Sequence, residues 1–265
     1  MEPVEVRSLT ITGGRNKYGR AEDQTLTCRA GDITCIVGPT GSGKSRFLAD
    51  IESLAQGDTV TGRRVLINGS PVDPSVVRAT GQKLVAQLSQ QMNFIVDLSA
   101  EEFLMLHAES RLSPDPDGIV RAILAAANDL SGEKFSGNVS VTQLSGGQSR
   151  ALMIADTALL SPSPIVLIDE IENAGVDRRR ALELLVQKEK ITFIATHDPV
   201  LALMGSRRLW FRDGGIAGII VPDEKERESV AYVREIDEQW ARWRETIRTG
   251  GLLHAGPDPD RHHPD

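Results

Sequence analysis

Eight consecutive residues, Gly38-Pro39-Thr40-Gly41-Ser42-Gly43-Lys44-Ser45, restrict what this 265-residue chain can fold into more than any others. The apolar run Ile33 to Val37 precedes them and reads as a buried strand. After them, Phe47, Leu48, Ile51 and Leu54 recur at helical spacing. Strand, glycine-rich turn and helix are the context that a phosphate-binding loop requires. Glycines let successive backbone N–H groups curl around an oxyanion, and the helix N-terminus adds a positive dipole end. In such a loop Lys44 reaches the β- and γ-phosphates of a nucleoside triphosphate, and the Ser45 hydroxyl ligates Mg²⁺. The expected class is therefore α/β, with a parallel sheet flanked by helices.

Composition narrows the partners. A net charge of −7 argues against broad nucleic-acid binding, which needs a basic surface. No apolar run approaches 18 residues, and the first residues lack the blocks of a signal peptide, so a cytoplasmic chain is expected. Cys28 and Cys35 fall in expected strands and read as reduced core thiols. The end of the chain, with His254, His262 and His263 among Gly, Pro and Asp, reads as a solvated flexible tail over residues 250–265.

Along the chain, strands are expected near residues 2–12, 24–29 and 64–67, the last closed by the hairpin signal Asn68-Gly69. These make an N-terminal antiparallel β-subdomain. Near residue 98 the character changes. Ser99 caps an expected helix to Leu112, with Glu101 and Glu102 in its first turn, and Gly118–Leu130 reads as a second helix. Residues 98–143 thus form a helical insert. The α/β rhythm returns with strands at Ile165–Ile168 and Ile191–Ala195, separated by a helix over Val176–Gln187.

Four motifs then stand in order. The phosphate loop is followed by Leu144-Ser145-Gly146-Gly147-Gln148, by the strand ending Asp169-Glu170, and by Thr196-His197-Asp198 after the next strand. In this order and spacing they resemble the nucleotide-binding domain of ATP-binding cassette (ABC) proteins, over roughly residues 4–220. The resemblance implies a P-loop NTPase core carrying the antiparallel and helical subdomains within residues 1–222. It implies ATP and Mg²⁺ as ligands, Asp169 in the Mg²⁺ shell, Glu170 as general base for the attacking water, and His197 on the γ-phosphate. It also implies that Ser145, Gly146, Gly147 and Gln148 close on ATP held by a second ABC subunit, in a homo- or heterodimer. Tyr18 lies at a distance suiting the aromatic that stacks on adenine. Lys83–Gln87 reads as the strand leading to the glutamine that senses Mg²⁺ and couples core to insert. Gln87 is the preferred position, with Gln90 and Gln91 as competitors, although Gln87 stands about three residues too far from Leu98-Ser99.

Some positions depart from the family pattern. Between Glu170 and Asp177 the stretch Ile171 to Val176 is one residue longer than in a typical transporter and lacks its proline, while Asp156 stands where arginine is common. Asp177 is the match for the terminal aspartate of that stretch. The expected role is the cytosolic motor of a transporter whose membrane-spanning subunits are separate chains, peripheral to the inner face of the membrane. The alternative is a soluble ABC ATPase that remodels or activates another enzyme or assembly. Finally, 223–249 reads as a charged helix with a seam at Val233, Ile236, Trp240, Trp243 and Ile247, either packed on its own domain or docked on another subunit.

Overall fold

Alternation along single strands decides which core each side chain enters. The computed structural model describes residues 5–73, 82–88, 94–169 and 175–253. Among these, β1 (Ser8–Thr12), β2 (Leu26–Arg29), β4 (Arg64–Ile67) and β5 (Ser70–Pro71) form an antiparallel sheet in the order β2-β1-β4-β5. The second sheet has the order β10-β9-β3-β8-β7-β6, built from β3 (Ile33–Val37), β6 (Val85–Leu88), β7 (Ile165–Asp169), β8 (Ile191–Ala195), β9 (Arg207–Arg212) and β10 (Gly215–Ile220). Its pairings are parallel except for the edge hairpin β9–β10.

In β7, Ile165 and Leu167 face one core while Val166 and Ile168 face the other. The period of two puts alternate residues on opposite faces, and both faces are covered, so the run is apolar throughout. The first face packs α1 (Lys44–Glu52) and the antiparallel sheet, with the Phe47 ring against both Phe193 and Phe211. The second packs α2 (Ala100–Ser110), α3 (Pro116–Leu130), α4 (Gly146–Leu159) and α5 (Arg178–Gln187) through Leu104, Ile123, Leu152 and Leu182. Crossover helices on both faces are what a parallel sheet demands.

Local signals place most boundaries. Ser99 begins α2 with a capping box: its Oγ accepts from Glu102 N at 3.2 Å, and Glu102 Oε2 accepts from Ser99 N at 2.8 Å. Asn68 and Gly69, both at positive φ, make the tight β4–β5 turn. Cys28 and Cys35 are free and buried, and burial pushes their thiols up to about 11 and about 12. By contact density the chain divides into Met1–Pro222 and Asp223–Asp265. The second unit contains α7 (Glu224–Arg248), which follows α6 (Pro199–Met204) in helix order. No helix among the described residues is long and apolar enough to cross a membrane.

Candidate functional site

Three parallel strands end at one edge of the large sheet, and their register aligns the turns beyond them. Asp169, the last residue of β7, pairs with Ala195 of β8, and Ala195 pairs with Ile36 of β3. Thr196 N donates to Ile36 O at 3.1 Å. The loop 38–45, Asp169 and the Thr196-His197-Asp198 turn therefore converge at the carboxyl edge, where open α/β sheets bind ligands.

Two glycines of the loop are required by contact. A Cβ on Gly38 would lie 2.4 Å from Phe211 O, and one on Gly43, at φ +105°, would lie 2.9 Å from Gly214 Cα. Gly214 N in turn donates to Ser42 O at 2.9 Å, so the β9–β10 turn buttresses the loop. Lys44 is buried at the N-terminus of α1. Its Nζ donates to Gly38 O at 2.8 Å and Pro39 O at 3.2 Å, and lies 3.2 Å from His197 Nε2. Residues 153 apart in sequence thus meet at one ammonium. Ser42 Oγ, within the same loop, is buried with no hydrogen-bond partner. A buried orphan hydroxyl calls for an acceptor, and a phosphate oxygen is one. The donor set fits Mg²⁺ as well: the exposed Ser45 hydroxyl and the Asp169 carboxylate are hard oxygen ligands.

Tyr18 stands on the loop between β1 and β2, 67 % exposed, with Lys17 Nζ 5.0 Å from its ring centroid. Lys17 N donates to Asp213 O at 2.8 Å, and Lys17 Nζ pairs with the Asp213 carboxylate at 2.8 Å. The side-chain hydrogen bond to the Asp213 carboxylate, more than any other contact, holds the Lys17 ammonium above its ordinary pKa. The aromatic loop therefore leans on the same turn that buttresses Gly43.

The signature residues begin α4. Ser145 caps it, its Oγ accepting from Gln148 N at 3.3 Å while Gln148 Oε1 accepts from Ser145 N at 2.9 Å. Gln148 Nε2 donates to Glu133 O at 3.2 Å. Ser145 and Gly146 are exposed, and a Cβ on Gly146 would meet nothing within 4 Å. The helix N-terminus is therefore open to an anion. Gly175, at the end of the departing stretch, comes within 3.8 Å of Gly147 Cα when given a Cβ. Asp177 caps α5, accepting from Arg180 N, and Arg178 pairs with Asp198 beside His197.

Gln87 needs correction. It lies within β6 opposite Leu167, two positions before the level of Asp169. With its amide nitrogen facing Glu52, it donates to both carboxylate oxygens, at 2.9 and 2.6 Å. Glu52 ends α1 and Lys44 begins it. At 1.5 Å per residue the two ends lie about 12 Å apart, so Gln87 is at the wrong end of the helix to hold a metal beside Ser45. The competitors Gln90 and Gln91, together with Glu170, lie outside the described residues.

One set of residues escaped the sequence reading. Arg63 is fully buried and pairs with Glu22 and with Asp50 of α1. Arg63 Nε donates to Glu22 Oε2 at 3.0 Å, Nη1 to Asp50 Oδ2 at 2.9 Å, and Thr61 Oγ1 to the same Asp50 oxygen at 2.8 Å. Glu22 Oε1 also accepts from Ile216 N at 2.9 Å. The guanidinium thus ties the helix behind the phosphate loop to the Tyr18 loop and to β10. The available signal was Asp50, a carboxylate on the apolar stripe of α1 three residues after Phe47. Arg63→Met should lower unfolding free energy by about 3–5 kcal/mol, because two carboxylates stay buried without a cation. The urea midpoint at pH 7 measures this, and a loss under about 1 kcal/mol would show the network to be dispensable.

A six-stranded sheet with a phosphate loop at its carboxyl edge, an antiparallel sheet on one face and helices on the other defines a nucleotide-binding ATPase cassette. The sequence profile of the ABC transporter family matches residues 21–173. An uncharacterised ABC transporter ATP-binding protein of Methanocaldococcus jannaschii is 48 % identical over 251 residues, covering 94 % of this chain and 96 % of that protein. The chain belongs to the ABC transporter family. A lipoprotein-releasing system ATP-binding protein of Anaeromyxobacter dehalogenans is 31 % identical, covering 81 % of this chain and 95 % of that one. The chain spans only 41 % of a β-(1→2)glucan export ATP-binding/permease protein of Agrobacterium fabrum, at 26 % identity. Among solved structures, a dimeric cassette in a post-hydrolysis state with ADP and phosphate shares the fold at TM-score 0.58 and 23 % identity, covering 80 % of this chain and 98 % of that one. The cassette CbiO1 of Clostridium perfringens does so at TM-score 0.62 and 20 % identity, covering 92 % and 100 %.

Proposed function

We propose that the chain hydrolyses ATP as one half of a head-to-tail pair and drives a transporter whose membrane-spanning subunits are separate chains. The observation that carries the pair is the open N-terminus of α4: Ser145 and Gly146 present an anion site to solvent that none of the described residues fills. A second copy's triphosphate is the anion that completes it. The transporter role is supported by the 48 % identical relative, which bears that description and has nearly the same length.

On this reading Lys44 exchanges its bonds to Gly38 O and Pro39 O for the β- and γ-phosphates. Its ammonium already stands where His197 can reach the same phosphate. Ser45, Asp169 and a glutamine beyond β6, for which Gln90 now replaces Gln87, would hold Mg²⁺, which neutralises phosphate charge when bound. Glu170, next to Asp169, takes the proton of the attacking water. Tyr18 stacks on the base. Closure is driven by ATP because only the closed pair makes both sets of phosphate contacts.

Mixing a Lys44→Ala chain with a Ser145→Arg chain tests the pair. Each alone should be inactive. In a mixed pair one site carries both lesions and the other carries neither, so part of the ATPase activity should return. No recovery, with mixed dimers shown to form, would count against a site shared between chains that can fire singly.

The stretch Ile171 to Val176, longer than in typical transporters and without the proline, favours a second reading, a soluble ABC ATPase acting on another enzyme. Isolation of the native protein separates the two. An integral membrane protein in stoichiometric amount supports transport; a soluble enzyme supports the second reading.

A further inference from the structure

Helix α7 runs for 25 residues, and none of its side chains is buried. Its apolar residues nevertheless follow a rule. Val233, Ile236, Trp240, Trp243 and Ile247 step by three and four, which are the a and d positions of a heptad. Ile236, Trp240 and Ile247 are 40, 54 and 61 % exposed, and the Trp240 and Trp243 rings meet edge to face at 5.2 Å. A seam of this size in a helix with no buried side chain is a docking surface, and its charges select the occupant.

We infer that α7 pairs antiparallel with α7 of a second copy of this chain, with Trp240 against Trp243 of the other copy and Ile236 against its Ile247. Beside the seam, the e positions carry Asp237 and Arg244, while the g positions Tyr232, Gln239 and Thr246 are uncharged. In an antiparallel pair e faces e. This register therefore sets Asp237 against Arg244 of the other copy, and two-fold symmetry repeats the pair. Sliding by one heptad would set Asp237 against Asp237, and a parallel pair would set it beside Tyr232, with no opposite charge to meet. Among these arrangements, the antiparallel register is the one that matches opposite charges. A two-fold contact of this kind is self-complementary, as a homodimer requires. Its role rests on the head-to-tail pair proposed above. It keeps the two copies at high effective concentration while the nucleotide sites are open, so that closure does not wait on a new encounter.

Sedimentation equilibrium of the full chain at micromolar concentration without nucleotide should show a dimer, and Trp240→Glu should make it monomeric with unchanged helical circular dichroism. Asp237→Arg or Arg244→Asp alone should raise the dimer dissociation constant about 5- to 30-fold, and the two together in one chain should restore it. Within one helix these residues are about 10 Å apart along the axis, too far for an internal pair to explain the rescue. A monomeric wild type without nucleotide would overturn the inference and point to packing on its own domain or on a different protein. A dimer that survives Trp240→Glu, or a double exchange without rescue, would overturn it too. If Glu170→Gln still dimerises with ATP when the nucleotide-free protein is monomeric, only the α7 contact falls and the ATP-driven pair stands.

Discussion

Glu170→Gln is expected to hydrolyse ATP on the order of 10² to 10⁴ times more slowly than the wild type while still binding it. On the proposed mechanism the exchange removes the group that accepts the proton from water and keeps nearly the same side-chain volume. The phosphate loop, Lys44 and His197 are untouched, so the cradle that holds the triphosphate remains. In the proposed cycle closure follows ATP binding and opening follows hydrolysis, so the variant should accumulate as an ATP-bound dimer, visible by size-exclusion chromatography with light scattering. Single-turnover hydrolysis in rapid quench measures the chemical step itself. Turnover at the wild-type rate would place the base elsewhere.

Lys44→Ala is expected to weaken ATP affinity by at least about 10²-fold, since hydrogen bonds to a charged group contribute about 1.5–3 kcal/mol each and two phosphates lose theirs. The ammonium is buried within the loop, bonded to Gly38 O and Pro39 O. Equilibrium binding by isothermal titration reads the effect directly. A thermal melt run alongside separates it from loss of the fold. Near-normal affinity with an unchanged melt would remove the assignment of residues 38–45.

The two variants probe different links between sequence and structure. Lys44 was legible because glycine, lysine and serine at fixed spacing have a backbone meaning: the loop conformation that Gly38 and Gly43 permit is local. The Ser99 cap and the Asn68-Gly69 turn were legible for the same reason, each being decided within four residues. Gln87 was misread because the end of a strand is not a local property. Pairing with β7 sets Gln87 opposite Leu167, and a shift of one residue sends every side chain to the other face. The sequence offered three glutamines within five positions, and its one sign against Gln87 was the long spacing to Leu98-Ser99.

The network around Arg63 shows the same limit in energetic form. Arginine beside a strand normally reads as a solvated surface group, and Glu22 lies 41 residues away in an irregular loop. Only packing of the antiparallel sheet onto α1 removes water from this cation and makes its two carboxylates obligatory. By itself, then, the sequence determined the phosphate loop, the capped helix starts, the alternation that fills two cores and the apolar seam of α7, because all of these depend on short-range sterics and periodicity. The tertiary structure alone decided that Lys44 meets His197, that Gln87 is turned toward Glu52, and that Arg63 is sealed between Glu22 and Asp50. Those outcomes depend on register and exclusion of water between segments far apart in the chain, which no stretch of sequence encodes locally.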